Sequence, residues 1–250
     1  MNGRVLVVCY HGVSDRWDSD LAVTTQRLEA QLRLLLSRGW RPTTFDQAVT
    51  APPARKTLAV TFDDGYRSVR ERAWPILQRL GVPASVFVPT ALVGWSGPLQ
   101  WEGIEEWLGT PHEEELHPMD WDELRWLAAR GWEIGSHTCS HPHLTGTDDA
   151  TLSFELERSR ATLDAHMDRA CRSLAYPYGD VDRRVIEAAR AAGYATACTL
   201  SAVNQPEPLA WPRVGLYDID HGWRLRAKLA TRLRRAHASL PFRRRAGSFT

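Results

Sequence analysis

Several things are scarce in this chain of 250 residues, and each scarcity narrows what it can be. There are four cysteines, Cys9, Cys139, Cys171 and Cys198, and none forms a Cys-x-x-Cys pair, so reduced, buried thiols are expected. Long apolar runs are missing, and no stretch is long enough to span a bilayer. The opening, Met1 to His11, holds one basic residue and an apolar run too short for a secretory leader, with no small-residue cleavage site. A cytoplasmic protein is the resulting expectation. Net charge is almost absent at +1, from 31 basic and 30 acidic side chains, which gives no case for nucleic-acid binding. Lysine is nearly lacking too, since Lys56 and Lys228 are the only two, and the positive charge is carried by arginine. It is unevenly spread: Arg224 to Arg245 is basic and Glu102 to Glu123 acidic, and each reads as a solvated surface. No internal repeat is present.

What is there suits one catalytic domain over 1–240 followed by a basic tail, 241–250, with 43% hydrophobic and 24% charged residues. A weak peripheral contact of that basic end with an anionic membrane face is the alternative reading of the tail. The oligomeric state is not legible.

The stretch Thr57 to Gly65 organises the rest. Its apolar run has the length of a buried parallel strand, and it ends at two carboxylates, Asp63 and Asp64, followed by a glycine suited to a sharp turn. Ligands bind at that end of a strand in parallel α/β folds. Asp-Asp-Gly on its own is also an ordinary turn. Downstream, however, His137 and His141 stand four residues apart in Ser136-His137-Thr138-Cys139-Ser140-His141, a spacing that places both imidazoles on one side of a compact turn. Two imidazoles and one carboxylate make an open site of the zinc type, leaving one aspartate as a candidate base. With a metal supplying the nucleophile, Cys139 has no need to act as one.

Along the chain, Val5 to Val8 reads as a strand ending at His11, which reaches the same rim. A helix capped by Thr24 or Thr25 closes at Gly39, an extended piece covers Arg41 to Phe45, and Ala51 to Ala54 turns into the central strand. Tyr66 to Leu80 reads as a helix kinked at Pro75, and Ala84 to Val88 as a strand. Regularity fails from Thr90 to Pro118, whose Trp95, Trp101 and Trp107 suit either sugar stacking or core packing. Asp120 to Glu123 resembles a capping box. Further strands precede His137, Pro177 and Leu200; helices cover Asp148 to Met167, Val181 to Ala192 and His221 to His237, with an apolar stretch at Leu209 to Leu216. This alternation indicates an α/β fold with a parallel sheet curled into a barrel.

Thr61-Phe62-Asp63-Asp64-Gly65, Ser136-His137-Thr138 through His141-Pro142, and Tyr176-Pro177-Tyr178-Gly179 together resemble the polysaccharide deacetylases, carbohydrate esterase family 4. The likeness runs from about Val5 to Val214. It implies a distorted (β/α) barrel with about seven parallel strands, and metal-dependent removal of N-acetyl, or O-acetyl, groups from an acetylated sugar or polysaccharide. By position, Asp64, His137 and His141 would hold a divalent metal, zinc first with cobalt or nickel as alternatives, and Asp63 would be the base. Two features depart from the pattern. The arginine that usually opens the third motif is replaced by Ala175, which makes Arg213 of Trp211-Pro212-Arg213-Val214 the candidate substitute. The late Leu-x-His motif is not evident, but Tyr10-His11-Gly12-Val13 resembles the exopolysaccharide-deacetylase branch with its acid histidine at the amino end. That makes His11 the first choice of acid and His221 the second. The backbone N–H of Tyr178 would stabilise the oxyanion. His143, beyond Pro142, reads as a surface or supporting residue, and His112 and His117 show no partner pattern. The rival readings are an amidase for a small non-sugar amide and a non-catalytic sugar-binding barrel.

Overall fold

Side chains alternate in and out along an extended chain, and here the alternation sorts two apolar surfaces. The computed structural model describes residues 4–51, 56–200 and 206–238, the last eight as backbone alone. The elements in order are β1 (Arg4–Tyr10), α1 (Thr25–Ser37), β2 (Arg41–Thr43), α2 (Phe45–Thr50), β3 (Lys56–Phe62), α3 (Trp74–Leu80), β4 (Ala84–Val88), α4 (Trp121–Ala128), β5 (Glu133–Ser136), α5 (Asp149–Met167), β6 (Ser173–Ala175), α6 (Arg183–Ala191), β7 (Thr196–Thr199), β8 (Trp211–Pro212), β9 (Val214–Gly215) and α7 (Gly222–Ala238). Two further short strands, Gly12–Val13 and Ala22–Val23, pair with each other.

Every strand pairing in the main sheet is parallel, in the order β8-β7-β6-β5-β4-β3-β1-β9, with β2 beside the start of β3. β8 and β9 are halves of one segment interrupted at Arg213. Pro212 pairs with Thr199 of β7, and Val214 with Val8 of β1. The two ends of the sheet are thereby brought within one residue of each other, and the sheet becomes a nearly closed barrel. Counting 211–215 as one stave with β1, β3, β4, β5, β6 and β7 gives the expected seven. Outward-facing Leu6, Val8 and Tyr10 of β1 and Leu58, Val60 and Phe62 of β3 pack against the helices in the larger core. Inward-facing Val7 and Ala59 join Phe87, Ala175 and Cys198 in a second, smaller core inside the barrel. Continuing that inward phase, Cys9, Thr61 and Asp63 must point up the barrel toward its mouth.

Local signals set most element ends. Thr24 caps α1 by accepting the Arg27 N–H, and Asp120 with Glu123 forms the reciprocal capping box at α4. Two expectations need correcting. The extended piece at 41–45 ends at Thr43, and Phe45–Thr50 is a short helix whose Phe45 and Ala48 fill the lower end of the barrel core. Its first N–H groups are satisfied from other strands, Phe45 by Ser85 Oγ at 2.8 Å and Asp46 by Glu133 Oε2 at 3.0 Å. Tyr66 to Leu80 is not one kinked α-helix: a wide turn over Val69–Ala73, closed by Trp74 N–H on Val69 O, precedes α3, which begins beside Pro75. The widening sits where proline, with no N–H, cannot continue the ladder below it. Pro52, Pro53 and the tail 241–250 lie outside the described residues.

Candidate active site

Among the described residues, four of the five non-glycine residues with positive φ are gathered at the strand ends: Asp64 (68°), Thr138 (67°), His141 (67°) and Tyr178 (58°). Left-handed backbone is costly for residues with a Cβ and persists where surrounding contacts over-determine it. Asp64 is held by the turn after β3, where Gly65 follows at φ 70° and a Cβ on it would meet Val88 Cγ1 at 2.8 Å. His137 follows β5, and the chain then folds back through a tight loop. Ser136 Oγ accepts Thr138 N–H at 3.1 Å, and Thr138 Oγ1 accepts His141 N–H at 3.0 Å. Buried Glu155 of α5 clamps the loop from beneath, accepting Cys139 N–H (2.8 Å), Ser140 N–H (2.9 Å) and the Ser140 hydroxyl (2.6 Å).

Asp64 Oδ1 lies 3.4 Å from His137 Nε2 and 3.5 Å from His141 Nε2. A tetrahedral zinc with ligands at 2.0–2.1 Å has donor–donor edges of about 3.3–3.4 Å, so the spacing fits. The chemistry of the donors fits as well. His137 Nδ1 is 2.7 Å from Ala175 O, and a carbonyl can only accept, so Nδ1 carries the hydrogen and Nε2 is left to ligate. Burial, then the charge of His137, hold His141 down at about 3, the neutral form a metal requires. At His137 burial also lowers, but Asp63 and Asp64 outweigh it and raise the value, so a cation would compete there with a proton. All three side chains are buried.

Asp63 faces the other way. Its carboxylate takes a two-pronged bond from Arg213, Nη1 to Oδ1 at 2.7 Å and Nη2 to Oδ2 at 2.6 Å, while the same Nη1 donates to Thr61 Oγ1 at 3.1 Å. The Cys9 thiol donates to Oδ2 at 3.4 Å. Burial alone would push the Asp63 carboxyl up, yet Arg213, with His137 behind it, holds it well below the usual range. Arg213, the candidate named for the arginine absent at Ala175, comes to Asp63 from the interruption between β8 and β9.

Asp63, Asp64, His137 and His141 share a cavity of about 820 Å³ with His11 and Tyr178. His11 is half-buried, and its ring comes within 4.8 Å of the Cys9 thiol and the Asp63 carboxylate, counted between possible ligand atoms. Tyr178 stands edge-on to His141 (4.7 Å, 61°) and lies flat on His143 (3.7 Å, 6°). His143 is therefore a support for Tyr178, 3.7 Å from both Glu102 and Asp180. Gly179, at φ 69°, lets this turn approach Leu200, whose N a Cβ would meet at 2.7 Å. His221 is exposed and does not line the cavity, and neither do His112 and His117. Of the tryptophans in 90–118, Trp101 stacks on His141 (4.1 Å, 24°) and lines the cavity with Trp107, whereas Trp95 is exposed away from it.

Two contributors escaped the sequence reading. Glu155 is one, and its signal was a carboxylate inside the buried stripe Leu152, Leu156, Leu163. The other is Glu115, bound to Arg72 at 2.6 Å and to Ser14 at 2.9 Å, which ties the long loop to the barrel; nothing in its Glu-Glu-Glu run marked it.

What fold and site define is a (β/α) barrel with an Asp-His-His donor set and a separate, arginine-paired aspartate at the strand ends. The sequence model of the polysaccharide deacetylase family matches residues 50–197, and the chain belongs to that family. It is 24% identical over 201 residues to a putative polysaccharide deacetylase, YxkH, of Bacillus subtilis (strain 168), covering 78% of this chain and 64% of that protein. It is 28% identical over 260 residues to the poly-beta-1,6-N-acetyl-D-glucosamine N-deacetylase of Escherichia coli (strain K12), covering 85% and 36%. The chain thus spans less than two thirds of the length of either relative. Among solved structures, IcaB from Ammonifex degensii superposes with a TM-score of 0.69 at 26% identity, covering 91% of this chain and 97% of that one. The Streptococcus pyogenes deacetylase PplD in complex with acetate shares the fold, with a TM-score of 0.73 at 18% identity over 91% and 99%. No helix among the described residues is long and apolar enough to cross a membrane.

Proposed function

We propose that this chain hydrolyses the N-acetyl group of an acetylated glycan, releasing acetate and leaving a free amine on the sugar. The observation that carries this reading is the division of the paired carboxylates, Asp64 turned to two imidazoles and Asp63 to Arg213, in one cavity. Asp64, His137 and His141 would hold a divalent cation, zinc first, with cobalt or nickel as alternatives. When bound, such an ion supplies Lewis acidity toward the amide carbonyl and toward water.

The residues of the chain do the rest. Asp63 accepts a proton from the attacking water. Arg213 keeps the Asp63 carboxyl ionised and fixes both of its oxygens, so that it is ready to accept that proton. His11, across the cavity, gives a proton to the amine nitrogen as the C–N bond breaks, without which that nitrogen leaves poorly. The Tyr178 N–H would face the developing oxyanion. A cavity of about 820 Å³ with Trp101, Trp107 and Tyr178 in its walls suits sugar rings better than a small amide. Similarity to a poly-beta-1,6-N-acetyl-D-glucosamine deacetylase supports an N-acetylglucosamine polymer or oligomer as substrate. The cytoplasmic setting is part of the proposal, supported by four cysteines that are all buried and unpaired.

Acetate release from N-acetylglucosamine oligomers with added Zn²⁺ or Co²⁺ tests the activity. Asp63→Asn is expected to keep its metal and lose turnover by roughly 10²–10⁴-fold, whereas His137→Ala loses both. Equal metal loss in the two purified variants would refute the assignment.

A further inference from the structure

Beyond the cavity the chain carries charge of one sign. From His221 to Thr250 there are nine arginines and lysines and no aspartate or glutamate. α7 is seated on the barrel by Leu225 and Leu229, both buried and four residues apart on one helical side. Lys228 is also turned in, paired with buried Asp220 at 2.5 Å. The outward remainder is unusual: Trp223 is 71% exposed and Ile219 61%, the two most exposed large apolar side chains among the described residues. Arg224 and Arg226 are exposed beside them, and neither has an ion-pair partner among the described residues. The Arg224 guanidinium lies 5.7 Å from the Trp223 ring centre. The neighbouring acid, Asp218, accepts bonds from the Thr24 N–H and hydroxyl and forms no ion pair with either arginine.

A single exposed apolar side chain means little. An indole and an isoleucine flanked by uncompensated arginines form the combination that settles at a lipid–water interface, the ring at headgroup depth and the guanidinium groups on phosphates. We propose that the segment leading into α7 and its first turn, from Ile219 to Arg226, docks on an anionic lipid surface. Charge complementarity selects lipid phosphates as the occupant, and the exposed apolar pair selects a surface with an interior over a soluble polyanion. Ile219 also lines the cavity, so docking would set one edge of the cavity against the membrane. The inference does not depend on the catalytic assignment.

The test is co-sedimentation of the intact protein with vesicles of phosphatidylcholine alone and of phosphatidylcholine mixed with phosphatidylglycerol, at low and high salt. Binding is expected only to the mixed vesicles and should fall with salt. Arg224→Ala with Arg226→Ala should weaken it by roughly 10–30-fold, and Trp223→Ala by several-fold, with unchanged thermal midpoints showing that the variants are folded. The proposal is overturned by absent binding or by equal binding to neutral vesicles. Binding untouched by these substitutions would hand the contact to the later arginines and also overturn it, as would capture by soluble heparin with vesicles ignored.

Discussion

Arg213 is the residue on which the candidate chemistry turns, and its pairing with Asp63 is buried at both ends, 0% and 3% exposed. Lysine cannot reproduce a planar two-pronged bond, so Arg213→Lys should keep the fold and lower kcat by about 10²-fold with little change in KM. Arg213→Met, which leaves a buried carboxylate alone, should cost about 3–5 kcal/mol in urea unfolding. Adding Asp63→Asn to it should recover most of that loss, because the orphaned charge is then gone. The pairing was legible in part: the aspartates announce themselves before a glycine, and the family resemblance made Arg213 the candidate for the arginine missing at Ala175, but only the fold brings its guanidinium onto Asp63. His11 was similarly visible as a strand-end histidine ranked before His221, and its approach to Asp63 adds a spatial reason to that order.

At the scale of elements, two devices support the site. The first is the clamp from α5 onto the histidine loop. Glu155→Ala would leave two backbone N–H groups and a hydroxyl unmatched and loosen His141, and zinc competition titration should show affinity reduced by about 10–100-fold, with Glu155→Gln in between. The second lies at the far end of the barrel, where Glu133 turns its carboxylate onto Ser85 Oγ (2.7 Å) and the N–H of Asp46. Burial raises the Glu133 value despite bonds from Ser173 and Ser85. A carboxyl raised on folding stabilises the protein below its unfolded value, and that contribution is lost as pH climbs through the folded value. Glu133→Gln, which does not titrate, should therefore gain on the parent protein from the ordinary carboxylate range upward. Thermal midpoints across that range would show the gap opening with pH, and a gap that closes instead would reverse the assignment. α2 itself was missed because six residues give too short a run for helical periodicity to register, and its first N–H groups are satisfied by side chains from β4 and β5. The capping box and the Thr24 cap, being local, were readable in advance.

For the molecule as a whole, closure by 211–215 decides what the barrel can do. β1 lies before the family-matched range 50–197 and the closing segment after it, so His11 and Arg213 both come from outside that range. A chain ending at residue 210 should lose cooperative unfolding and aggregate, because β1 and β7 would each present an open edge. Calorimetry of that truncated chain against the full one is the check. The sequence by itself determined the parallel α/β order, the alternation that sends Cys9, Thr61 and Asp63 inward, the helix caps and the two-histidine loop, since each of these depends on neighbours a few residues apart. Only the tertiary structure decided that Asp63 meets Arg213, that Glu155 holds the histidine loop and that Ala175 contributes a carbonyl to His137. Those contacts join residues 15 to 150 positions apart, and the curvature and closure of the barrel, which no local pattern encodes, bring them together.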